Sequence, residues 1–408
     1  MTDRGVGIGA PLLAGVLVVG IGLSVRSPIT SVSALLPEID AAYDYGAAGL
    51  AMLSAVPVLL FGLAAPLAPI LGRRLGVDRA AAVLVSTLAV ALLLRPLGAA
   101  ALIAGTVVVG ASISLLGVLT PQLVRTHLER RQGLWSGMYT AAFGASAALG
   151  AGLAVPVFDA VGGDAATALL VWAIPISVVA AFALVVSRRL GAAAYVPDAR
   201  PADTRDGSIL RAPRVWSVTG FFGCQALIYF ALTAWLPTIA VDRGLDPAAG
   251  GLLLAWLSLA GIPAALLAPA IAARYSSQST MTAVVSLLSA AGIAGLAFAP
   301  VSTAVAFVAV LGVAQSAAFG LAVGLIVQRA PSTARTASFS AVAQGIGYSV
   351  AALGPLGLGV LANAGVGWTA LLASLLGVVA VQFAFGLRAG RPLPKPSVST
   401  RTGEVVTR

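Results

Sequence analysis

The chain of 408 residues is 59% hydrophobic and only 9% charged, with a mean hydropathy of +1.00. Soluble domains carry about 25% charged residues, so this composition excludes a water-soluble globular protein and indicates a polytopic membrane protein. The net charge of +10 does not indicate nucleic-acid binding, because the basic residues lie in short loops between apolar segments. The single cysteine, Cys224, excludes an internal disulfide.

Twelve apolar segments are long enough to cross a bilayer, since a helical span needs about 20 mostly apolar residues. They lie at residues 8–36, 47–71, 79–97, 100–124, 133–157, 166–187, 214–241, 248–273, 279–299, 302–328, 337–361 and 367–387. The first segment has no cleavage site, which favours an uncleaved first helix. The sequence therefore predicts an all-α membrane protein with an N-terminal six-helix bundle at 1–187, a cytoplasmic linker at 188–213, a C-terminal six-helix bundle at 214–390 and a cytoplasmic tail at 391–408.

The loops between these segments differ in charge from one side to the other. With the N-terminus inside, the cytoplasmic loops hold nearly all of the 24 basic residues, including Arg73, Arg74, Arg188 and Arg189. The opposite loops hold acidic residues such as Asp44. This asymmetry follows the positive-inside rule and predicts that both termini are cytoplasmic, in a bacterial-type inner membrane.

The two halves of the chain also repeat each other. Leu35-Leu36-Pro37-Glu38-Ile39 corresponds to Trp235-Leu236-Pro237-Thr238-Ile239, 200 residues later. Ala147-Ala148-Leu149-Gly150 recurs 204 residues later as Ala351-Ala352-Leu353-Gly354. Because both halves enter from the same side, the pattern predicts a parallel repeat related by an axis along the membrane normal.

Six plus six helices in a parallel repeat is the major facilitator architecture. Within it, the chain resembles the cyanate permease and 2-nitroimidazole transporter family over nearly all spans. The motifs that carry the resemblance are Arg26-Ser27-Pro28, Val56 to Leu63, Phe221 to Pro237 and Ala343 to Tyr348. It implies a cavity between the halves, lined by helices one, four, seven and ten, with two, five, eight and eleven contributing. The chain departs from the family where Ser24-Val25 precede Arg26, which leaves the substrate open.

Arg26 lies in the second half of the first segment, two residues before Pro28. A charged side chain near the bilayer centre costs about 2.5–3.5 kcal/mol on insertion scales, so it usually faces a cavity or a partner. Three interpretations are open: it extends to the outer interface, it pairs with a helix-end carbonyl or Glu38, or it binds substrate. The planar, permanently charged guanidinium suits carboxylates and other oxyanions, which favours Arg26 as a substrate anchor.

Other polar residues at membrane depth are further candidates for substrate contact. Gln225 and Tyr229 are four residues apart on one helix face, as are Gln344 and Tyr348. The remaining candidates are Gln315, Ser112 and Tyr139. The alternative for all of them is hydrogen bonding between packed helices, worth about 0.6 kcal/mol each. Since Arg26 corresponds to Ala226 in the repeat, the predicted site is asymmetric, with its charge in the first half.

No Asp or Glu is expected inside a span, and His127 is expected to be solvated in a cytoplasmic loop. Proton relays in membranes use such residues, so the sequence favours uniport, or a proton that travels with a weakly acidic solute. Glu38 and Asp44, at helix ends, are possible relays. Arg95 is expected to anchor the third span at the interface.

The predicted function is a secondary transporter of a small, polar, anionic solute that works by alternating access. The alternative is efflux of nitroimidazole-like or other drug compounds. An enzyme is not expected, because one histidine, one cysteine and no intramembrane acid supply no catalytic set. No cofactor or metal is expected, and no nucleotide-binding loop occurs. The expected partners are the solute and the lipid bilayer, with no nucleic acid, and the chain is expected to be a monomer.

Overall fold

The computed structural model of the protein describes residues 9–190, 210–211, 213–272, 274–330 and 336–392, and their regular structure is helical. Ten helices are long and apolar enough to cross a membrane, and two bent helix pairs bring the number to twelve. The predicted all-α membrane fold is confirmed. Most of the predicted linker, and the tail beyond residue 392, lie outside the described residues.

Eleven helices form the first half of the described chain, because several spans are broken or bent. They are α1 (Gly9–Ser24), α2 (Ser27–Ala34), α3 (Leu36–Tyr43), α4 (Gly46–Leu63), α5 (Ala68–Leu75), α6 (Val77–Leu94), α7 (Ala99–His127), α8 (Gln132–Gly152), α9 (Ala154–Ala160), α10 (Ala165–Val171) and α11 (Ala173–Leu190). Bends of 41° and 45° separate the two parts of the second and fifth spans. Inside a bilayer such bends occur where neighbouring helices satisfy the freed backbone groups.

Seven helices form the second half. They are α12 (Pro213–Asp242), α13 (Pro247–Ala272), α14 (Ser279–Phe298), α15 (Ala304–Arg329), α16 (Thr336–Ala351), α17 (Leu353–Asn363) and α18 (Trp368–Ala389). The seventh span, α12, is one continuous helix, whereas the first span is divided into α1 and α2.

The two halves repeat one close helix contact. Gly150 approaches α2 so closely that an added Cβ would lie 2.8 Å from the carbonyl oxygen of Ser27. Gly354 approaches α12 in the same way, and an added Cβ would lie 2.5 Å from the carbonyl oxygen of Leu227. The two glycines and the two carbonyls are separated by the same 204 and 200 residues as the sequence repeats. The first and seventh spans therefore pack on the fifth and eleventh in the same manner.

The halves are joined at one end of the helices. One hydrophobic cluster combines Leu35 and Leu36 of the first half with Leu232 and Trp235 of the second. It lies toward the end that carries Asp44 and the other acidic loop residues, here called the acidic end. Two further clusters extend toward the opposite, basic end, and each belongs to one half, except that α4 contributes to the second-half cluster. The described halves thus share a core at the acidic end and have separate cores at the basic end.

Two glycines lie at contacts between the halves. An added Cβ would lie 2.9 Å from Ile262 at Gly144, on the contact of α8 with α13. At Gly359 it would lie 2.6 Å from the side chain of Ala51, on the contact of α17 with α4. Gly357 differs, because nothing lies within 4 Å of an added Cβ there. Small residues let these helix backbones approach closely, as in other membrane bundles.

Candidate functional site

The first membrane span is broken at Val25 and Arg26. α1 ends at Ser24 and α2 begins at Ser27, although Pro11–Ala34 together form one span. Pro28 explains the break, because it has no N–H for the helical ladder and its ring clashes with the carbonyl four residues earlier. The same proline suits the first turn of α2, where its fixed φ is already helical. The break places Arg26 at the N-terminal end of α2.

The hydroxyl of Ser146, on α8, satisfies backbone groups that the break leaves free. It accepts the backbone N–H of Arg26 at 3.2 Å and that of Ser27 at 2.9 Å. It also donates to the carbonyl of Leu23 at 2.6 Å. Each unpaired backbone group in a bilayer core costs several kcal/mol, so this buried hydroxyl stabilises the broken span. Because Ser146 takes these N–H groups and Pro28 has none, the start of α2 offers an anion no backbone donor.

Arg26 lies buried between the halves, with 1% of its surface exposed. Its Nη2 donates to the hydroxyl of Tyr229, on α12, at 3.1 Å. The guanidinium carbon lies 5.3 Å from the centre of the Phe143 ring and 5.5 Å from those of Tyr229 and Phe230. Among the described residues no carboxylate pairs with Arg26, and its Nε has no hydrogen-bond partner. Exit to the interface and pairing with Glu38 are therefore wrong interpretations of this arginine.

Further aromatic rings extend this group across both halves. Tyr348, on α16, packs edge-on against Phe222 and Phe230, with ring centres 5.0 and 6.2 Å away. Phe61, on α4, lies 5.7 Å from both Tyr348 and Phe230. A ring face stabilises a nearby cation by about 0.5–2 kcal/mol. The rings around Arg26 therefore offset part of the free energy needed to bury its charge.

Arg95 is buried in the first half, so the predicted interface anchor is wrong. It is 2% exposed, and its Nη1 donates to the carbonyl of Pro28 at 3.1 Å. Its Nη2 donates to Oγ1 of Thr106 at 2.8 Å. Gly105 leaves room for this inward turn, because an added Cβ there would lie 2.4 Å from Cγ of Arg95. Arg95 thus attaches α2, the helix that begins beside Arg26, to the rest of the first half.

Gln225 and Gln315 form a buried hydrogen-bond chain inside the second half. Nε2 of Gln225 lies 3.1 Å from the backbone carbonyl of Gln315 and 3.4 Å from its Oε1. Nε2 of Gln315 donates to Oγ of Ser289 at 2.9 Å, and that hydroxyl donates to the carbonyl of Val285 at 2.8 Å. The chain links α12, α15 and α14. Oε1 of Gln225 is buried and has no partner among the described residues.

The remaining predicted site residues lie outside these two groups. The Tyr139 ring is 6.4 Å from that of Phe143. Ser112 is buried on α7, and Gln344 donates to Ser340 of its own helix at 2.6 Å. The structure brings together Arg26, Tyr229 and Tyr348, and separately Gln225 and Gln315. No hydrogen bond within the described ranges links the other three to Arg26.

A buried acid–histidine pair lies at the basic end of the first half. Asp78 is fully buried in the first turn of α6, and its Oδ1 lies 2.7 Å from Nε2 of His127, the last residue of α7. Two expectations are therefore wrong: an acid, Asp78, does lie inside a candidate span, and His127 is not solvated, with 14% of its side chain exposed. An acid in the first turn and a basic group in the last turn both suit the helix dipole. The pair joins two helices of one half.

Two residues at the site, Ser146 and Phe143, are absent from the sequence prediction. They form one stripe of α8 with Tyr139 and Gly150, spaced four, three and four residues apart. Such spacing places side chains on one helix face, and this face packs against α1 and α2. The spacing was the available signal, but in a span rich in Gly, Ala and Ser it does not stand out.

Comparison with known proteins gives consistent relatives. A sequence model described as Major Facilitator Superfamily matches residues 12–355. The uncharacterized transporter YycB of Bacillus subtilis is 30% identical and covers 93% of each chain. The 2-nitroimidazole transporter of Escherichia coli is 32% identical over 93% of this chain and 95% of its own. The cyanate transport protein CynX of Escherichia coli is 29% identical over 84% and 88%.

Solved structures share the fold at low sequence identity. The nucleoside transporter NupG superposes with a TM-score of 0.73 at 13% identity, covering 93% of this chain and 99% of its own. A bacterial homologue of the human lysosomal transporter Spinster, in an inward-facing and occupied conformation, superposes with a TM-score of 0.74 at 11% identity. That comparison covers 94% of this chain and 96% of the homologue.

Proposed function

Because this chain belongs to the Major Facilitator Superfamily, whose members are transporters rather than enzymes, we propose that it moves a small, polar, anionic solute across the inner membrane. Arg26 is the anchor of the solute in this proposal, with Tyr229 and Tyr348 beside it. The proposed bundles are 1–187 and 214–390, and the transporter acts as a monomer.

The observation that carries the proposal is a buried arginine without a carboxylate partner among the described residues. Burial of a charge is strongly unfavourable unless another charge or good hydrogen bonds compensate it. Three aromatic rings and one tyrosine hydroxyl compensate Arg26 only in part, and its Nε stays unpaired. A bound anion would complete the compensation, and its release would restore the partly satisfied state.

Anion binding also has a defined geometry in this proposal. The guanidinium offers planar donors that match a carboxylate or another oxyanion. The Tyr229 hydroxyl accepts from Arg26, so its own hydrogen remains for an anion placed between them. The N-terminus of α2 does not compete, because Ser146 takes its free N–H groups. The solute is therefore held by side chains of both halves, as binding between rocking bundles requires.

The packing of the halves supports alternating access as the mechanism. They share a hydrophobic core at the acidic end and have separate cores at the basic end. We propose that the basic end faces the cytoplasm, as the positive-inside rule indicates, so that this conformation is closed toward the outside. Rocking of the halves would separate the shared core at the acidic end and expose Arg26 to the outside.

The energy source in this proposal is the solute gradient, or a proton that travels with a weakly acidic solute. Asp78 pairs with His127 at the basic end, and no acid touches Arg26 in the described part of the chain. Uptake into proteoliposomes with an imposed pH gradient tests this point. Uniport predicts equal initial rates with and without the gradient for a solute that stays fully ionised.

The decisive experiment replaces Arg26 and measures anion binding and counterflow in proteoliposomes. Loss of hydrogen bonds to a charged group costs about 1.5–3 kcal/mol, so Arg26→Ala should weaken anion binding roughly 10- to 150-fold. Arg26→Lys keeps the charge but not the planar fork, and should fall between Arg26→Ala and the native protein. Arg388→Ala, which removes an exposed charge, is the control and should bind normally. Undiminished transport by Arg26→Ala would refute the anchor.

A second candidate function is efflux of nitroimidazole-like or other drug compounds. Two observations favour it: the aromatic rings around Arg26, and 32% identity to a protein named 2-nitroimidazole transporter. Expression in a susceptible host distinguishes the two functions. Protection from 2-nitroimidazole without counterflow of small anions favours efflux, and the reverse result favours anion transport.

A further inference from the structure

We propose that the solute is an anion that also carries its own N–H or O–H donor, and that the amide oxygen of Gln225 accepts from that donor. The inference rests on the proposed function, because it takes Arg26 as the anchor of the same solute. It adds a neutral acceptor from the second half to the positive charge from the first.

The hydrogen-bond chain behind Gln225 has a fixed direction. The hydroxyl of Ser289 donates to the carbonyl of Val285, so its oxygen accepts from Nε2 of Gln315. Oε1 of Gln315 is thereby turned toward Gln225, where it and the backbone carbonyl of Gln315 face Nε2 of Gln225. A reversed amide at Gln225 would place oxygen against two oxygens. The hydrogen-bond chain therefore directs Nε2 of Gln225 toward Gln315 and leaves Oε1 of Gln225 without a partner among the described residues.

The atom that is left over is an acceptor without a donor. Oε1 of Gln225 is buried in a residue that is 1% exposed, and no donor reaches it among the described residues. A buried amide oxygen without a hydrogen bond is destabilising, and such groups in native proteins are uncommon. A solute that brings an N–H or O–H to this oxygen removes the penalty when it binds.

Gln225 lies next to the arginine site along α12. Residues 225 and 229 are four apart, so their side chains lie one above the other on the same helix face. Tyr229 contacts Nη2 of Arg26, and Phe222, three residues before Gln225, packs against Tyr348 of the same aromatic group. The Cβ atoms of Gln225 and Tyr229 are thus roughly 5–6 Å apart, about one helical turn, so the amide of Gln225 and the tyrosine that contacts Arg26 are neighbours on α12.

This spacing selects a chemical class. One end of the solute carries the negative charge, and the other carries an N–H or O–H within reach of Gln225. Hydroxy and heterocyclic N–H acids, and hydrogencarbonate among small oxyanions, belong to this class. Nitrate and simple carboxylates do not, because they place only acceptors against Oε1 of Gln225.

Matched pairs of anions test the inference directly. Pyrrole-2-carboxylate and furan-2-carboxylate have the same charge and nearly the same shape, but only the first carries a ring N–H. Hydrogencarbonate and nitrate form a smaller pair of the same kind. Half-saturating concentrations come from thermal-shift titrations of the purified full chain, because a ligand that binds the folded state raises its apparent stability.

In the native protein the donor-bearing member of a pair should bind about 5- to 10-fold tighter, as expected for one neutral hydrogen bond. Gln225→Leu should reduce that ratio to about 1, mainly by weakening the donor-bearing anion. Gln382→Leu is the matched control, because Gln382 is also buried in the second half with an unpaired amide oxygen, but on α18. It should keep the native ratio.

The outcomes separate the inference from the function beneath it. If both members of each pair bind equally well and both lose binding in Arg26→Ala, the anchor stands and the inference about Gln225 is refuted. A donor preference that persists in Gln225→Leu refutes it as well. If none of the four anions shifts the stability, or Arg26→Ala leaves all shifts unchanged, the anionic function itself is refuted.

Discussion

The first and seventh membrane spans correspond in the repeat, and they differ most at Arg26. In the first half the span breaks, a charge stands at the break, and Ser146 satisfies the exposed backbone. In the second half Ala226 takes the place of Arg26, and α12 runs without interruption from Pro213 to Asp242. Both spans keep the same close contact with a glycine of their neighbour. The first half therefore contributes a charged side chain from a broken span, and the second half contributes polar, uncharged side chains from a continuous helix.

The neighbouring residues changed together with the break. Ser146 corresponds to Val350 at the 204-residue offset, and Val350 is exposed on α16, where no break needs a hydroxyl. Among the described residues, the hydroxyl of the nearby Ser349 bonds to the carbonyl of Gly345 in its own helix. In the described part of the chain, a hydroxyl of the neighbouring helix that bonds to the backbone of the span is thus found in the half that carries Arg26 and not at the corresponding position of the other half.

In each half an arginine attaches the first or the seventh span to a neighbouring helix. In the first half the arginine lies at the end of the neighbouring helix, and in the second half it lies at the end of the span itself. Arg95, at the end of α6, donates to the carbonyl of Pro28 beside the break. In the second half, Arg243 follows α12 and donates to the carbonyls of Leu296 and Ala299 at the end of α14. Arg95 therefore holds α2, the helix that begins beside Arg26. Arg243, in contrast, holds the end of α12 against the end of α14.

Ser146→Ala should give the largest effect on stability. It leaves two N–H groups and one carbonyl without their partner inside the bilayer, and each buried orphan costs about 1–3 kcal/mol. We expect a clear loss of thermal stability in detergent and weaker anion binding, because Arg26 is no longer held. Fluorescence-monitored melting of the purified protein, with and without anion, measures both.

Ser349→Ala is the control in the corresponding helix of the second half. It removes only a bond within one helix turn, so its melting temperature should stay close to that of the native protein. Equal stability of the two variants would contradict the role of Ser146 in closing the break.

Arg95→Met should have a smaller effect, mainly on binding. Removal of a buried charge offsets part of the lost hydrogen bonding, so the change in stability should be modest. The carbonyl of Pro28 loses the hydrogen bond from Arg95, and α2 loses one of its attachments beside Arg26. We expect anion affinity to fall about 2- to 10-fold, the equivalent of one hydrogen bond. Thermal-shift titration measures the change.

Arg243→Met provides the comparison, since it removes the corresponding brace of the second half. It should leave anion affinity unchanged even where it lowers stability. If anion affinity fell more in Arg243→Met than in Arg95→Met, the conclusion that Arg95 of the first half positions Arg26 would be wrong.

Most of the fold was predictable because the bilayer restricts what a chain can do. Only helices satisfy their own backbone in lipid, so hydropathy and length locate twelve spans. The same reasoning does not locate breaks inside a span, because proline and glycine are tolerated there. Pro28 breaks its span, whereas Pro237 lies inside the continuous α12. Whether a proline breaks its span depends on the packing of neighbouring helices, which the local sequence does not determine.

The site was predictable residue by residue rather than as a set. Charge in an apolar segment singled out Arg26, and the resemblance singled out Tyr229, but their hydrogen bond spans 203 residues and depends on packing between halves. Arg95 and His127 were misplaced because position near a span end does not reveal which way a side chain turns. Both turn inward, toward Pro28 and Asp78 respectively.

The smallest predicted effect concerns Glu38, which corresponds to Thr238 in the second half. Burial raises the pKa of the Glu38 carboxyl above its ordinary value of 4.5, a backbone hydrogen bond lowers it, and the charge of Asp159 raises it further. The folded state therefore binds this proton more tightly than the unfolded state. Below pH 4.5 both states are protonated and Glu38 has no effect; as pH rises through the raised pKa, its ionisation destabilises the fold.

Glu38→Gln should thus raise the melting temperature slightly at pH 7, and the gain should shrink toward zero as pH falls to 4.5. Glu129→Gln, at an exposed position of the basic end, is the control and should show no such trend. Melting curves across this pH range measure the difference between each variant and the native protein. If the melting temperature of Glu38→Gln relative to the native protein rose toward acid pH instead, the surroundings would stabilise the carboxylate. The first half would then use a charge at the position where the second half has the neutral Thr238.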